Sequence, residues 1–384
     1  MRFSGVRSVW TALTVALLAT CVSADSAEAD AVAGRCRKPI VRREWRTLSV
    51  QNRQKYLQSL KCLMKKPPQT SKDVIPGVRS RYDDFLGTHI VNADSVHFVG
   101  VFYPYHRLLL HAFEEELSTC GWKDGIPYWD WTKDAPGLDN VTDVFFNSPI
   151  FDTKHGFGGN GPWIPGNFDN PAPGQTVNTP WDVPDRTGGG CIQDGPFAGL
   201  QTNLGPGNGT AYNPHCVQRD FAPLTFASMS GPLAVLTGLA LPNFGWFDRV
   251  TESSFHAGGH WAVGGLYGTM TDKWASRKYP EPLHFSFTRA AWTNISELAA
   301  DPIFWSHHAN LDRAWWSWQK RNLRKRLTDV SGPLVNFDWT NQLGGNITLD
   351  HTITVFETVK VQAKVRDVMH IQQGPLCYEY DQLY

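Results

Sequence analysis

The sequence predicts a mainly α-helical protein with a four-helix bundle at its core, long loop excursions and a few short strands. The strongest evidence is the stretch DPIFWSHHANLDRAWWSWQ at 301–319, where apolar residues recur at three- and four-residue steps, as on one helix face. Two further stretches, 82–117 and 253–261, also place histidines at helical spacing. Residues 134–241 are instead rich in Pro, Gly, Asn and Asp, which predicts a long excursion from the bundle.

The first 24 residues have the features of a secretory signal peptide. A basic start is followed by an apolar run from Val9 to Ala19 and by the small residues Val22-Ser23-Ala24. The run is too short to span a bilayer, and no later stretch approaches that length. We therefore expect export, cleavage of residues 1–24, and a single mature domain at 25–384 that includes the excursion.

Charge and cysteine content agree with export. The 36 Lys and Arg residues balance the 36 Asp and Glu residues, so the overall charge favours neither nucleic acid nor a membrane as partner. Without Cys21, six cysteines remain, which predicts disulfides but leaves their pairing open. Motifs for N-glycosylation lie at Asn140, Asn208, Asn294 and Asn346.

The first helix is predicted to begin at Ser49, and Pro67-Pro68 end it. Its apolar stripe marks it as a packing helix without visible chemistry. The stripe consists of Tyr56, Leu57, Leu60 and Leu63.

The next two helices are predicted at 82–90, which carries His89, and at 106–119, which begins with His106. The connection through Val101 is looser and contains His97. Both helical histidines share a face with apolar residues and therefore point inward. We interpret Arg107 and Glu114 as charges on the helix surface or between helices rather than as catalytic groups.

Residues 134–241 are interpreted as an ordered excursion over the surface, because structureless segments of that length are uncommon in compact domains. Cys191 and Cys216 could link its two parts. Such a segment could form the rim of an active site or serve only as decoration, and the sequence favours neither.

His256 and His260 are four residues apart, so on a helix both rings lie on one face. Gly258-Gly259 between them lowers helix propensity, which we interpret as room for the close approach of a partner or substrate. Loops are predicted at 258–268 and 273–287 before the helix that starts near Asp301. The alternating tail at 350–365 predicts one or two strands.

Four predicted helices thus carry inward-facing histidines, an arrangement by which bundles hold metal ions in their cores. An all-imidazole set suits copper, zinc, iron or nickel, and two sets of three predict a dinuclear site. The carboxylate that HExxH zinc hydrolases use is missing from the HAGGH segment, and the Glu-x-x-His pattern of dinuclear carboxylate iron sites is absent. The predicted ligands are His89, His97, His106, His256, His260 and His308.

Two neighbouring histidines are predicted to have other roles. His111 lies five positions after His106 and therefore faces another direction. His307 precedes His308 by one step and cannot share its direction, so a place in the outer shell or cavity wall is expected.

These motifs resemble those of the type 3 copper proteins: tyrosinases, catechol oxidases and haemocyanins. The resemblance rests on HxxxxxxxH followed by a His-Arg pair, on HxxxH, and on DPIFWSHHANLD, and it is strongest to short secreted fungal polyphenol oxidases. It implies two copper ions per chain, O2 and a small phenolic molecule as substrates, and oxidation of o-diphenols to o-quinones. It also implies that Asp312 is an outer partner of the site.

Departures from the family pattern narrow this expectation. Ser95 replaces the cysteine that some relatives link to the second ligand, and Ala257 replaces an asparagine that many monophenol-hydroxylating relatives carry. Trp261 could restrict the substrate entrance. The segment 378–380 resembles the Tyr-x-Tyr end of the fungal catalytic domain, so no C-terminal covering domain is expected.

Oxidation of o-diphenols is therefore favoured over hydroxylation of monophenols, with o-aminophenols as further candidates. A haemocyanin-like O2 carrier is the alternative, and a secreted protein that has lost its metal is a third possibility. The sequence leaves the physiological substrate and the oligomeric state open.

Overall fold

The computed structural model describes residues 36–164, 185–205, 209–265, 269, 298–355 and 359–384. Helices predominate, as expected from the sequence. The helices are α1 (Val50–Lys65), α2 (Arg81–Val96), α3 (Phe102–Thr119), α4 (Trp131–Asp134), α5 (Val141–Phe146), α6 (Pro223–Ser230), α7 (Pro232–Ala240), α8 (Phe244–Thr251), α9 (Ala257–Gly264), α10 (Ile303–Lys320) and α11 (Leu323–Arg326). The strands are β1 (Ile40–Arg42), β2 (Gln201–Thr202), β3 (His215–Cys216), β4 (Thr352–Val355), β5 (Val361–Lys364) and β6 (Tyr378–Tyr380).

The core is built around four helical segments: α2, α3, the continuous α8–α9 segment and α10. Helix α10 packs on α3, and α3 also packs on α2. Nearly all of α10 is buried, from Ile303 to Gln319. The predicted four-helix core is therefore confirmed, with α10 as the helix that is most completely enclosed.

Helix α1 follows its prediction, since the Ser49 hydroxyl accepts a hydrogen bond from the Asn52 amide at 3.2 Å and Lys66 ends the helix. Helix α2 is longer than predicted. It is capped by Ser80 and continues to Val96, so the expected looser connection at 91–96 is wrong. These residues show little apolar periodicity because most of this last stretch faces solvent.

Helix α3 begins at Phe102, four residues before the predicted start. Pro104 lies in its first turn, where the helix has no internal partner for a backbone N–H and tolerates proline. The predicted loop at 258–268 is also wrong for its first part, because α9 extends to Gly264. Close packing on α6 compensates there for the low helix propensity of glycine.

The excursion at 134–241 is ordered where the structure describes it and contains helices α5 to α7. The disulfide Cys191–Cys216 joins its two parts, as the sequence suggested. The other disulfides are Cys36–Cys377 and Cys62–Cys120. All six cysteines of the predicted mature chain are therefore paired.

Residues 223–240 form the stretch of the described chain that is apolar enough to be considered as a membrane span, with a mean hydropathy of 1.2. This differs from the expectation that no such stretch exists after the signal peptide. The structure divides the stretch at Gly231 into α6 and α7. Each helix is only about 12–14 Å long, well short of the roughly 30 Å hydrocarbon core of a bilayer.

The tail forms the antiparallel pair β4–β5, as predicted from its alternating pattern. A second pairing was not visible in the sequence: β1 and β6 lie parallel, with Arg42 opposite Tyr380. This pairing and the Cys36–Cys377 disulfide attach the last part of the chain to the first.

A buried ionic network ties this pair of strands to the bundle. The Arg42 guanidinium donates to both carboxylate oxygens of Glu114 at 2.7 and 2.8 Å and to Asp312 at 2.9 Å. Arg107 donates to the other Asp312 oxygen at 2.5 Å. Arg107 and Glu114 are thus buried charges that link secondary-structure elements. Of the two positions that the sequence allowed, between helices and on the helix surface, the structure shows the first.

Candidate metal centre

The predicted histidines form two buried groups inside the bundle. The first group joins His89 of α2, His97 directly after α2, and His106 of α3. Their ring centroids lie 5.1–5.7 Å apart. Helix α2 ends at Val96, and the extended backbone of His97 then turns the His97 ring toward the rings of His89 and His106.

The second group joins His256, His260 and His308, and it also contains His307. The Nε2 atom of His260 lies 3.0 Å from that of His256 and 3.3 Å from that of His308. A metal ion held by imidazoles at about 2.0–2.1 Å in tetrahedral geometry needs nitrogens about 3.3 Å apart. The second group therefore fits one ion with three imidazole ligands.

Three rings have a defined hydrogen position. The Nδ1 atoms of His97, His106 and His256 lie 2.9, 2.8 and 3.1 Å from the backbone carbonyl oxygen four residues earlier. Because a carbonyl oxygen only accepts, each Nδ1 carries the hydrogen and each Nε2 keeps its lone pair. Among the residues that the structure describes, the buried Nε2 atoms of His97 and His106 have no hydrogen-bond partner, which leaves their lone pairs free for a metal.

The two groups face each other and form one site. The rings of His106 and His308 stack at 4.5 Å with an angle of 24°, and those of His97 and His256 lie 6.1 Å apart. Two metal ions in these groups would be near neighbours, so a single small molecule could contact both.

Two phenylalanines to which the sequence reasoning assigned no role at the site contact both groups. Phe102 lies 4.7 Å from the rings of both His106 and His256, and Phe304 lies 4.1 Å from His308 and 5.1 Å from His89. Each phenylalanine precedes a histidine by four residues on its helix, a spacing that could have revealed them. They keep the space between the groups apolar.

Burial keeps five imidazoles of the site uncharged. It lowers the pKa of five imidazoles well below the ordinary value, and neighbouring imidazoles lower it further. These rings are those of His97, His106, His256, His260 and His308. They are therefore neutral at pH 7 and able to donate a lone pair without first losing a proton.

A buried carboxyl group lies beside the site, but it accepts hydrogen bonds from a backbone amide. Glu252 precedes His256 by one helical turn, and its oxygens accept from the Phe98 amide at 2.8 and 3.0 Å. Burial raises the pKa of Glu252 well above its ordinary value. The sequence reasoning, which looked for carboxylates at ligand spacing, missed this residue.

Asp312 lies one turn after His308 and accepts hydrogen bonds from Arg42, Arg107, Tyr378 and Tyr380. Burial acts to raise the pKa of Asp312, but the two guanidinium groups outweigh it and hold the pKa below its usual value. Its carboxylate thus holds α10 in place one turn beyond His308, and its role as an outer partner of the site, which the family resemblance implies, stays a prediction.

The two residues expected at the substrate entrance differ in exposure. Ala257 is buried at the start of α9, whereas the Trp261 side chain is partly exposed on the same helix. Of the expected glycosylation sites, Asn140 and Asn346 are exposed, and Asn208 and Asn294 lie outside the described residues, as does the predicted signal peptide.

The two glycines of α9 allow other parts of the chain to pack closely against this helix. A Cβ atom at Gly258 would lie 2.2 Å from the Ser230 hydroxyl oxygen, and one at Gly259 would lie 2.1 Å from Cε1 of His307. The sequence predicted that these glycines admit a partner or substrate. The structure instead fills the space with α6 and the His307 ring.

Replacing Gly259 with alanine should therefore destabilise the metal-free protein by about 1–3 kcal/mol, even though alanine favours helix formation. Chemical denaturation measures this change. Gly137→Ala is the matched control, since no atom lies within 4 Å of its added Cβ and a change below about 0.5 kcal/mol is expected. Equal stability of the two variants would contradict the close approach of His307.

The part of the chain that contains these histidines matches a known protein family. Residues 79–321 match the family model described as the common central domain of tyrosinase. This range contains every histidine of the two groups.

Individual relatives extend the likeness to most of the chain. The tyrosinase-like protein phomQ1 of Diaporthe leptostromiformis is 30% identical over 363 residues, which cover 90% of this chain and 78% of the relative. Tyrosinase P of Aspergillus terreus is 29% identical over 373 residues, with coverage of 91% and 94%. A solved polyphenol oxidase variant from Thermothelomyces thermophila has a TM-score of 0.72 at 29% identity and 93% coverage of each chain.

Proposed function

Because the chain belongs to the tyrosinase family, we propose that it oxidises o-diphenols to o-quinones with O2 after secretion from the cell. Family and fold make it a copper-dependent oxidase of phenolic substrates. The proposal for this chain is carried by the two groups of buried imidazoles that face each other across an apolar space.

In the proposed site, His89, His97 and His106 hold one copper ion and His256, His260 and His308 hold the other. All six donors are imidazole nitrogens, a set that suits copper. Bound copper supplies O2 binding and electron transfer. The protein contributes neutral rings in fixed orientations, and Phe102 and Phe304 place apolar rings against both groups.

We assign o-diphenols, with o-aminophenols as further candidates, on the basis of the residues at the entrance. Ala257 has no polar group that could orient a water molecule to deprotonate a monophenol. Trp261, next to His260, is bulky and partly exposed, and we propose that it narrows access on the α9 side. The lack of a polar group at position 257 favours substrates that ionise readily.

A substrate panel on copper-loaded protein tests this proposal. We expect rapid O2 consumption with catechols, slower or no consumption with monophenols, and two copper ions per chain by metal analysis. Near-ultraviolet absorption under O2 without any turnover would instead indicate a haemocyanin-like carrier. Absence of copper binding would contradict both.

Export is proposed from residues 1–24 and is supported by the three disulfides of the mature chain. Expression in a fungal host should yield extracellular protein whose first residue is Asp25. The secreted protein should lose mass on enzymatic removal of N-linked glycans, and Asn140→Gln and Asn346→Gln should each reduce that loss. Intracellular retention of the full-length chain would contradict the assignment.

A further inference from the structure

His307 is a fourth imidazole in the second group. One of its nitrogens lies within 4.8 Å of the candidate ligand atoms of His256, His260 and His308, and the residue is fully buried. Distance alone would therefore allow His307 to bind the ion of the second group. Its hydrogen bond with Trp131 excludes this role.

Trp131 fixes the position of the hydrogen on this ring. The Trp131 indole Nε1 lies 3.1 Å from Nδ1 of His307. An indole N–H can only donate, so Nδ1 of His307 must accept and carries no hydrogen. A histidine ring whose Nδ1 carries no hydrogen is neutral, so the single hydrogen of His307 lies on Nε2.

This hydrogen position is opposite to that of His97, His106 and His256, which carry it on Nδ1. A nitrogen that carries a hydrogen has no free lone pair for a metal. The remaining lone pair of His307, on Nδ1, is occupied by Trp131. Neither nitrogen of the neutral ring is then available as a ligand.

The ring also has close contacts that hold two of the proposed ligands. It stacks on the His256 ring at 5.7 Å with an angle of 20° and meets the His260 ring edge-on at 4.5 Å. It lies so close to α9 that only glycine fits at position 259. Trp131 is fully buried at the start of α4 and packs 5.2 Å from Phe255.

We propose that Trp131 and His307 are a positioning pair for the second copper site. Trp131 holds His307 in its Nε2–H tautomer, and the His307 ring fixes His256 and His260 without binding metal. The inference rests on the proposed function, because it presumes that the remaining three imidazoles bind copper. It assigns a role to Trp131, which lies more than 120 residues before the second group.

Nuclear magnetic resonance of the copper-free protein tests the tautomer without reference to activity. Two-bond correlations in protein with nitrogen-15-labelled histidine distinguish a hydrogen on Nε2 from one on Nδ1. We expect the signal that disappears in His307→Asn to show the Nε2–H pattern, and Trp131→Phe to abolish that single pattern. A hydrogen on Nδ1 of His307 in the unmodified protein would overturn the proposal.

Copper titration tests the role of the pair. His307→Leu should still bind two copper ions at saturation, with affinity at the second site lowered by about 10–100-fold, as for other residues that orient ligands. His307→Asn should lose less, because its side-chain oxygen can still accept from Trp131. Trp131→Phe keeps the aromatic packing and should weaken binding in the same direction.

Saturation of His307→Leu at one copper ion per chain would show that His307 is a ligand. Unchanged affinity in both His307→Leu and Trp131→Phe would show that the pair positions nothing. Either result overturns the inference. In contrast, two copper ions bound to His308→Ala would refute the proposed ligand set, so failure of the two proposals can be told apart.

Discussion

Replacing His308 with alanine should reduce copper binding from two ions per chain to one and lower catechol turnover by more than about 100-fold. The Nε2 atom of His308 lies 3.3 Å from that of His260, and no other side chain of α10 presents a free lone pair at that place once His307 is occupied by Trp131. Changes to residues that merely orient ligands already cost about 10–100-fold, so loss of a ligand should cost more.

The fold should survive this substitution. His308 is buried against Phe304, and its removal leaves a cavity that should lower the free energy of unfolding of the copper-free protein by roughly 1–3 kcal/mol. Metal analysis, O2 consumption and circular dichroism separate loss of copper from loss of structure.

His111→Ala is the matched control. This histidine lies on α3 with His106 but points away from the site, and its Nε2 pairs with Glu115 at 3.5 Å. The variant should bind two copper ions and oxidise catechol at the normal rate. Full activity of His308→Ala, or equal losses in both variants, would contradict the proposed ligand set.

Much of the site could be predicted because several of its residues lie within one or two turns of the same helix. The spacing of His256 and His260, and the apolar face shared by His106 and Leu109, follow from the geometry of one helix turn. The four helices that carry histidines were recognised for this reason. Their ends were less predictable, since the exposed last turns of α2 show little apolar pattern.

Contacts between distant parts of the chain could not be predicted in this way. Trp131 and His307 meet only because the fold brings the start of α4 to α10, and the role of Gly259 depends on a second distant contact, that of α9 with the His307 ring. From the sequence we expected another group to approach the HAGGH segment closely. The sequence did not show that this group is the His307 ring. Likewise, the partners of Arg42 lie 72 and 270 residues away, so no spacing rule could have revealed them.

Replacing Arg42 with methionine should lower the free energy of unfolding by about 3–5 kcal/mol, because removal of one partner leaves buried charges behind. The side chains of Arg42, Glu114 and Asp312 are at most 4% exposed. Asp312 would keep Arg107 and two tyrosine hydroxyls, whereas Glu114 would keep, among the described residues, only the Ile126 amide at 2.8 Å. Chemical denaturation of copper-free protein measures the loss.

Two further variants identify the cause of that loss. Arg43→Met changes the next residue, which is exposed, and should alter stability by less than about 0.5 kcal/mol. The double variant Arg42→Met with Glu114→Gln removes the stranded charge and should recover part of the stability lost in Arg42→Met. If the double variant were less stable than Arg42→Met, the attraction between Arg42 and Glu114 would not explain the loss. Because Asp312 lies on the same helix as His308, one turn further on, weakened copper binding in Arg42→Met would extend the influence of this network to the metal site.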